Sequence, residues 1–192
     1  MLSRSNVSKV TEILWGEYER FINRELTGYN IVYLVIDAIY ESIKRYVKGN
    51  KSILVAYGIT KEGKKVLLHM ELRNKKSYKF CKGFLRDMIR GRLNTPLSIT
   101  TDGCPGLIKT VDEIFPVSLR IRCWVHKMRN LSSKVPREIW HKMKAELEAI
   151  KNSINYQEGE KKFNECVEKY KKNYPSFVKS LEEDREALLN IL

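Results

Sequence analysis

The sequence predicts an α/β fold: a mixed sheet of three antiparallel strands and then alternating α and β elements, followed by an all-α C-terminal segment. Three observations predict it. Five apolar, β-rich runs occupy residues 30–40, 51–59, 64–72, 96–100 and 117–125. A three-residue turn joins the second run to the third, whereas helical periodicity separates the third, fourth and fifth. Beyond residue 135 the pattern is helical throughout.

Each element has its own reason. Residues 7–27 place Val10, Ile13, Leu14, Tyr18, Phe21 and Ile22 at spacings of three and four, which predicts a helix, and Gly28 suits its stop. "NIVYLVIDAIY" (30–40) is too continuously apolar for a strand with one wet face, so it belongs in the middle of the sheet. "KSILVAYGI" (51–59) and "KKVLLHMEL" (64–72) flank the turn "KEG" as an antiparallel hairpin. "KKSYKFCKGFLRDMIRGR" (75–92) is a helix with Tyr78, Phe80, Cys81, Phe84, Leu85, Met88 and Ile89 on its buried side. "PLSIT" (96–100) is the fourth strand and "GLIKTVDEIF" (106–115) a short helix. "VSLRIRCWV" (117–125) is a fifth strand, with Arg120 and Arg122 on one face. Helices over 136–150, 157–173 and 176–192 follow; Pro136 suits a first turn, and Pro175 separates the last two. This order suits the ribonuclease-H-like architecture.

Composition narrows the function. The 192 residues are 43% hydrophobic, enough for one domain with a proper core and a helical appendage. No apolar run approaches the roughly 20 residues that span a bilayer, and the N-terminus lacks the apolar stretch of a signal peptide. The expectation is a cytoplasmic, nucleoid-associated protein with no membrane partner. The four cysteines have no paired spacing and read as reduced thiols. Net charge is +13, and residues 1–133 carry 24 basic against 12 acidic side chains. A field of that sign favours a polyanion such as nucleic acid, or an anionic membrane surface.

Two aspartates interrupt this pattern. Asp37 lies inside the most apolar segment, "YLVIDAIY", and Asp102 ends the fourth strand. A carboxylate in an apolar run is costly unless it is paired or binds a metal. If the first and fourth strands are neighbours, the two acids converge at one sheet edge, where a divalent cation relieves their repulsion. Metal-assisted phosphodiester chemistry uses such carboxylates to hold two ions about 4 Å apart, with a third acid completing the site. The alternatives are structural: Asp102-Gly103 as a turn, and Asp37 paired with Lys44 or Arg45. Cys123 and His126 have the spacing of half a zinc site, but no second pair exists. They read instead as neighbours of the acids, with His126 orienting Asp102 or touching a phosphate. His69 and His141 read as isolated and structural. Arg120, Arg122, Lys127 and Arg129 form a basic cluster suited to a DNA backbone.

Four stretches carry a resemblance: "YLVIDAIYESIKR", "LVAYGITKEGKKVLLHMEL", "TDGCPGLIKTVDEIFPVSLRIRCWVHKMRNLSSKVP" and "EKYKKNYPSFVKSLEEDREALL". Together they resemble the Mutator-type transposases of bacterial and archaeal insertion sequences. The resemblance implies a ribonuclease-H-like core with an Asp, Asp, Glu metal triad and an all-α insertion before the Glu. Asp37 and Asp102 match the first two acids as catalytic residues and metal ligands for Mg²⁺ or Mn²⁺. Cys123 and His126 match the family's Cys-x-x-His. The implied units are an N-terminal helix (1–28), a partial catalytic core (29–134) and a truncated helical insertion (135–192). The family's Thr-Asn-x-x-Glu motif, which holds the third acid, does not occur here, and Ile121 stands where Gln is usual. Glu146, Glu148, Glu182, Glu183 and Glu186 lie on insertion helices and read as solvated.

The expected function is a transposase catalytic-core fragment that acts on transposon ends and target DNA, incomplete for want of the third carboxylate. The alternative is a non-enzymatic DNA-binding remnant that modulates a full-length transposase through dimerisation. A homo-oligomer is compatible with either reading.

Overall fold

The computed structural model describes residues 4–39, 52–73 and 77–192. Among the described residues, five strands form one sheet: β1 (Ile31–Ile39), β2 (Ser52–Thr60), β3 (Lys65–Arg73), β4 (Ser98–Thr101) and β5 (Leu119–Arg122). Their order is β3-β2-β1-β4-β5. β2 pairs antiparallel with both β1 and β3, while β4 pairs parallel with β1 and β5. This is the ribonuclease-H-like topology that the element order predicts. β1 is central, as its unbroken apolar run requires.

The helices are α1 (Arg4–Ile22), α2 (Tyr78–Arg90), α3 (Pro105–Ile114), α4 (Trp124–Ser132), α5 (Arg137–Lys151), α6 (Tyr156–Tyr170), α7 (Pro175–Glu182) and α8 (Arg185–Leu189). Ser77 caps α2 by accepting from the Phe80 amide, and Pro105 opens α3. Alternation along β1 buries Leu34, Ile36 and Ala38 and leaves Tyr33, Asp37 and Ile39 on the more open face. The buried row packs with Phe84 and Leu85 of α2 and Leu107 of α3 into one core. A second core, with Met143, Leu147, Phe163 and Phe177, joins α4 to the later helices.

Three boundaries differ from the sequence reading. α1 stops at Ile22, well before Gly28. Past its end, the Arg24 guanidinium donates to the carbonyls of Phe21, Leu67 and Leu68, tying the exit of the helix to β3. β5 ends at Arg122, and the residues read as its tail begin α4 instead. The stripe that α4 buries is Trp124, Lys127 and Leu131, and the lysine at its centre hides the helical period. The final helix is broken at Glu183-Asp184, and α8 ends at Leu189, where Asn190 Nδ2 donates to the Arg120 carbonyl at 3.0 Å. Lys44 and Arg45, considered as partners of Asp37, lie outside the described residues.

The break has a cause. Asp184 Oδ2 accepts from Arg122 Nε at 3.0 Å and from Lys127 Nζ at 2.7 Å. The three side chains are only 15%, 7% and 3% exposed, respectively. Lys127 also donates to the Ser180 carbonyl. Burial pushes the Asp184 carboxyl up, but Lys127 and Arg122 outweigh it and hold the group below its ordinary value of 3.8. Arg122 also packs beneath the turn after β4. Gly103 has φ +80°, and a Cβ there would lie 2.3 Å from Arg122 Cζ.

Asp184→Asn leaves two cations buried against a neutral side chain. It is expected to cost about 3–5 kcal/mol at pH 7, measured by urea unfolding. Because the folded-state pKa of Asp184 is depressed, its stabilisation is complete above 3.8 and fades as pH falls through the lower folded value. The wild type should therefore lose stability below pH 3.8 with a component that Asp184→Asn lacks. Gly103→Ala should cost about 1–2 kcal/mol from its left-handed backbone alone, and more from displacing Arg122. A Gly103→Ala protein as stable as wild type would refute the packing described for this turn.

Candidate functional site

Asp37 lies opposite Val55 of β2 in the antiparallel register. On its other side, the parallel pairing of β1 with β4 runs from Tyr33–Ser98 to Ile36–Thr101. Asp37 and Asp102 are the next residues on each strand. Asp37, still within β1, and Asp102, just past β4, thus stand at one level, at the carboxyl end of β4, where open α/β sheets form their binding crevices. The side chain of Asp37 is 43% exposed.

Asp102 does make a turn. Its Oδ1 accepts from the Cys104 amide at 2.9 Å, and Gly103 supplies the positive φ. The turn also carries the chain out of the sheet, leaving the carboxylate at the strand end. Asp37 Oδ1 accepts from the Ala38 amide at 2.7 Å. His126 Nε2 lies 3.6 Å from the same oxygen, within ion-pair reach when the imidazole is protonated but too long for a hydrogen bond. His126 Nδ1 in turn lies 3.3 Å from Cys123 Sγ. The Cys-x-x-His pair is thus one turn at the start of α4, and its histidine faces Asp37 rather than the expected Asp102.

The basic cluster divides. Arg129 is exposed. Arg120 is partly buried and lies 3.7 Å from Asp112. Arg122 and Lys127, expected on a DNA-facing surface, are buried on Asp184, so their charges act inside the protein. Sequence reasoning missed Asp184 because it looks like one more solvated acid in "LEEDREALL". Glu146, another acid of the helical segment, pairs with Lys169 and accepts from the Tyr170 hydroxyl. None of the four cysteines is in a disulfide, and burial pushes the Cys166 thiol up to about 12.

A second polar cluster lies elsewhere, and it corrects the reading of His69 as isolated. His69 and Glu71 of β3 meet Asp87 of α2, with one donor atom from each lying within 4.8 Å of the others. Burial lowers the His69 pKa, partly offset by Asp87, and Arg24 lowers it further. Burial raises the Glu71 pKa, and the charge of Asp87 adds to that.

The acid pair suits a hard divalent ion. Its donors are carboxylate oxygens, which Mg²⁺ and Mn²⁺ prefer. Among the described residues no Lys or Arg neutralises Asp37. Among the described residues no third carboxylate joins Asp37 and Asp102 in a cluster as close as that of His69, Glu71 and Asp87.

The family model "Transposase, Mutator family" matches residues 1–192. The transposase for insertion sequence element IST2 of Acidithiobacillus ferrooxidans is 37% identical over 138 residues, which are 71% of this chain and 47% of that protein. The transposase for IS6120 of Mycolicibacterium smegmatis is 27% identical over 188 residues, 98% of this chain and 58% of that protein. The transposase for IS256 in transposon Tn4001 of Staphylococcus aureus is 26% identical over 156 residues, 81% of this chain and 39% of that protein. The chain spans about half the length of the curated relatives it matches. Among the described residues no helix is long and apolar enough to cross a membrane. With the family model matching along its whole length, the chain belongs to the Mutator family of transposases.

Proposed function

We propose that this chain carries the first two metal-binding acids of a DNA-cutting and strand-joining site, with Asp37 and Asp102 as the catalytic carboxylates. The observation that carries the reading is their adjacent register on β1 and β4, at the carboxyl end of the parallel pair. Mg²⁺ or Mn²⁺ held there would supply charge neutralisation at the phosphodiester and a more acidic attacking water or 3′-hydroxyl.

The protein's own residues do the rest. β1 fixes Asp37 by its pairing with Val55 of β2, one residue past the last β1–β4 pair. The Asp102–Cys104 turn fixes the second acid, with Arg122 packed beneath Gly103. His126 limits the rotation of Asp37 and, when protonated, adds a positive charge beside the DNA phosphate. Arg129, and Arg120 where Asp112 releases it, offer contacts to the DNA backbone. Transposon ends and target DNA are the proposed partners, and the helices from residue 135 form the start of the insertion. With two acids in place of three, this chain alone is expected to be weak in strand transfer.

On DNA bearing the ends of its element, with Mg²⁺ or Mn²⁺, the chain should give at most trace strand transfer. The trace should vanish in Asp37→Asn and in Asp102→Asn, while gel-shift retention of the DNA persists. Robust transfer by the chain alone would overturn the two-acid reading. Trace activity that survives both substitutions would overturn the assignment of the acids. If turnover falls below detection, retention of Mn²⁺ by the protein–DNA complex decides, since both variants should lose it. His126→Ala should weaken that retention by roughly tenfold, in the range set by removing a group that orients a metal ligand.

A second reading, a DNA-binding modulator of a full-length relative, draws on the basic surface and not on the acids. It predicts that Asp37→Ala with Asp102→Ala leaves both DNA binding and the regulatory effect unchanged.

A further inference from the structure

His69 is the most anomalous side chain outside the acid pair. It is 3% exposed, and among the described residues no hydrogen bond or ion pair reaches its imidazole. Its ring contact is with Phe84, centroid to centroid at 4.8 Å. A buried polar ring without a partner is unfavourable and calls for a ligand or ordered water.

The local backbone explains why it is there. The pairing of β2 with β3 shifts register between Ala56–His69 and Tyr57–Leu67, leaving Leu68 without an opposite residue. This bulge leaves two consecutive residues, Leu68 and His69, buried. Glu71 follows two residues later, so it shares the face of His69. Asp87 comes down from α2 to meet them. A cavity of about 140 Å³ opens beside the imidazole, lined by Ile22, Asn23, His69, Asp87, Arg90 and Gly91. That is room for an ion with water ligands.

We propose that His69, Glu71 and Asp87 form a second metal site, which binds a transition-metal dication of the Zn²⁺ class. One imidazole nitrogen with two carboxylate oxygens suits such ions, whereas Mg²⁺ favours an all-oxygen shell. Donors of a tetrahedral Zn²⁺ shell stand roughly 3.3 Å apart. The three donors lie within 4.8 Å of one another, so rotations that move the carboxylate oxygens inward by about 1.5 Å would bring them to that spacing, with water as the fourth ligand. Arg90 lies 2.8 Å from Asp87, but its side chain is 78% exposed, and such surface pairs hold little energy against a metal. The ion would fasten the edge strand β3 to α2. The site lies on the face of the sheet opposite Asp37: His69 is in register with Ala56 and Ile36, Asp37 with Val55 and Met70. It is therefore separate from the acid pair.

The test is calorimetric titration of the metal-free chain with Zn²⁺ in excess Mg²⁺, followed by thermal unfolding. One equivalent should bind, and Tm should rise with Zn²⁺ concentration. Glu71→Gln and Asp87→Asn preserve side-chain shape, and each should weaken binding roughly tenfold or more. Asp37→Asn, Asp102→Asn and Cys123→Ser should leave it unchanged. Co²⁺ in the same site should show ligand-field bands without a thiolate charge-transfer band. The proposal is overturned if no Zn²⁺ binds, if Glu71→Gln and Asp87→Asn bind as wild type, or if binding is lost with Asp37, Asp102 or Cys123. Failure of this site would leave the acid-pair reading untouched, because the variants separate the two.

Discussion

Asp184 is the constraint on which the arrangement rests. The carboxyl end of the sheet contributes two buried cations, Arg122 from β5 and Lys127 from α4, and neither tolerates burial unpaired. One carboxylate from the junction of α7 and α8 compensates both. It does so at the cost of a continuous C-terminal helix, which breaks at that residue.

Both halves of the acid site trace back to this contact. Arg122, held by Asp184, fills the space under Gly103 and so sets the turn that aims Asp102. Lys127, held by the same oxygen, anchors the first turns of α4, which carry Cys123 and His126. The helical core thereby acts on the edge of the sheet that carries Asp37 and Asp102 through a buried ion triad. Trp124 Nε1, donating to the Leu188 carbonyl at 3.2 Å, adds a neutral tie between the same elements. Residues that look basic and exposed in sequence are here interior struts, and the acid that supports them is one that a scan for catalytic carboxylates passes over.

Local pattern made most of the fold legible. The apolar run of β1, the β2–β3 hairpin, the alternation from α2 to β5 and the placing of Asp37 and Asp102 at one level of neighbouring strands all follow from periodicity and turn chemistry. What stayed hidden depended on contacts far apart in the chain. Lys127 sits on a buried stripe because Asp184, 57 residues away, receives it, and no local window shows that. The break at Glu183-Asp184 has the same origin. His69 reads as isolated in the sequence because its neighbours in space are Glu71, brought to its face by a bulge, and Asp87, brought by the packing of α2 on β3. The Cys-x-x-His spacing is visible in the sequence, but only the fold shows that the histidine lies beside Asp37.

The central claim is that Asp37 and Asp102 form a metal-binding pair at the end of β1 and β4. A crystal grown with Mn²⁺ and measured at the manganese absorption edge tests it most directly. The account predicts an anomalous difference peak bridging the carboxylates of Asp37 and Asp102. A map that shows Mn²⁺ bound elsewhere on the chain but no peak between these two carboxylates would contradict it.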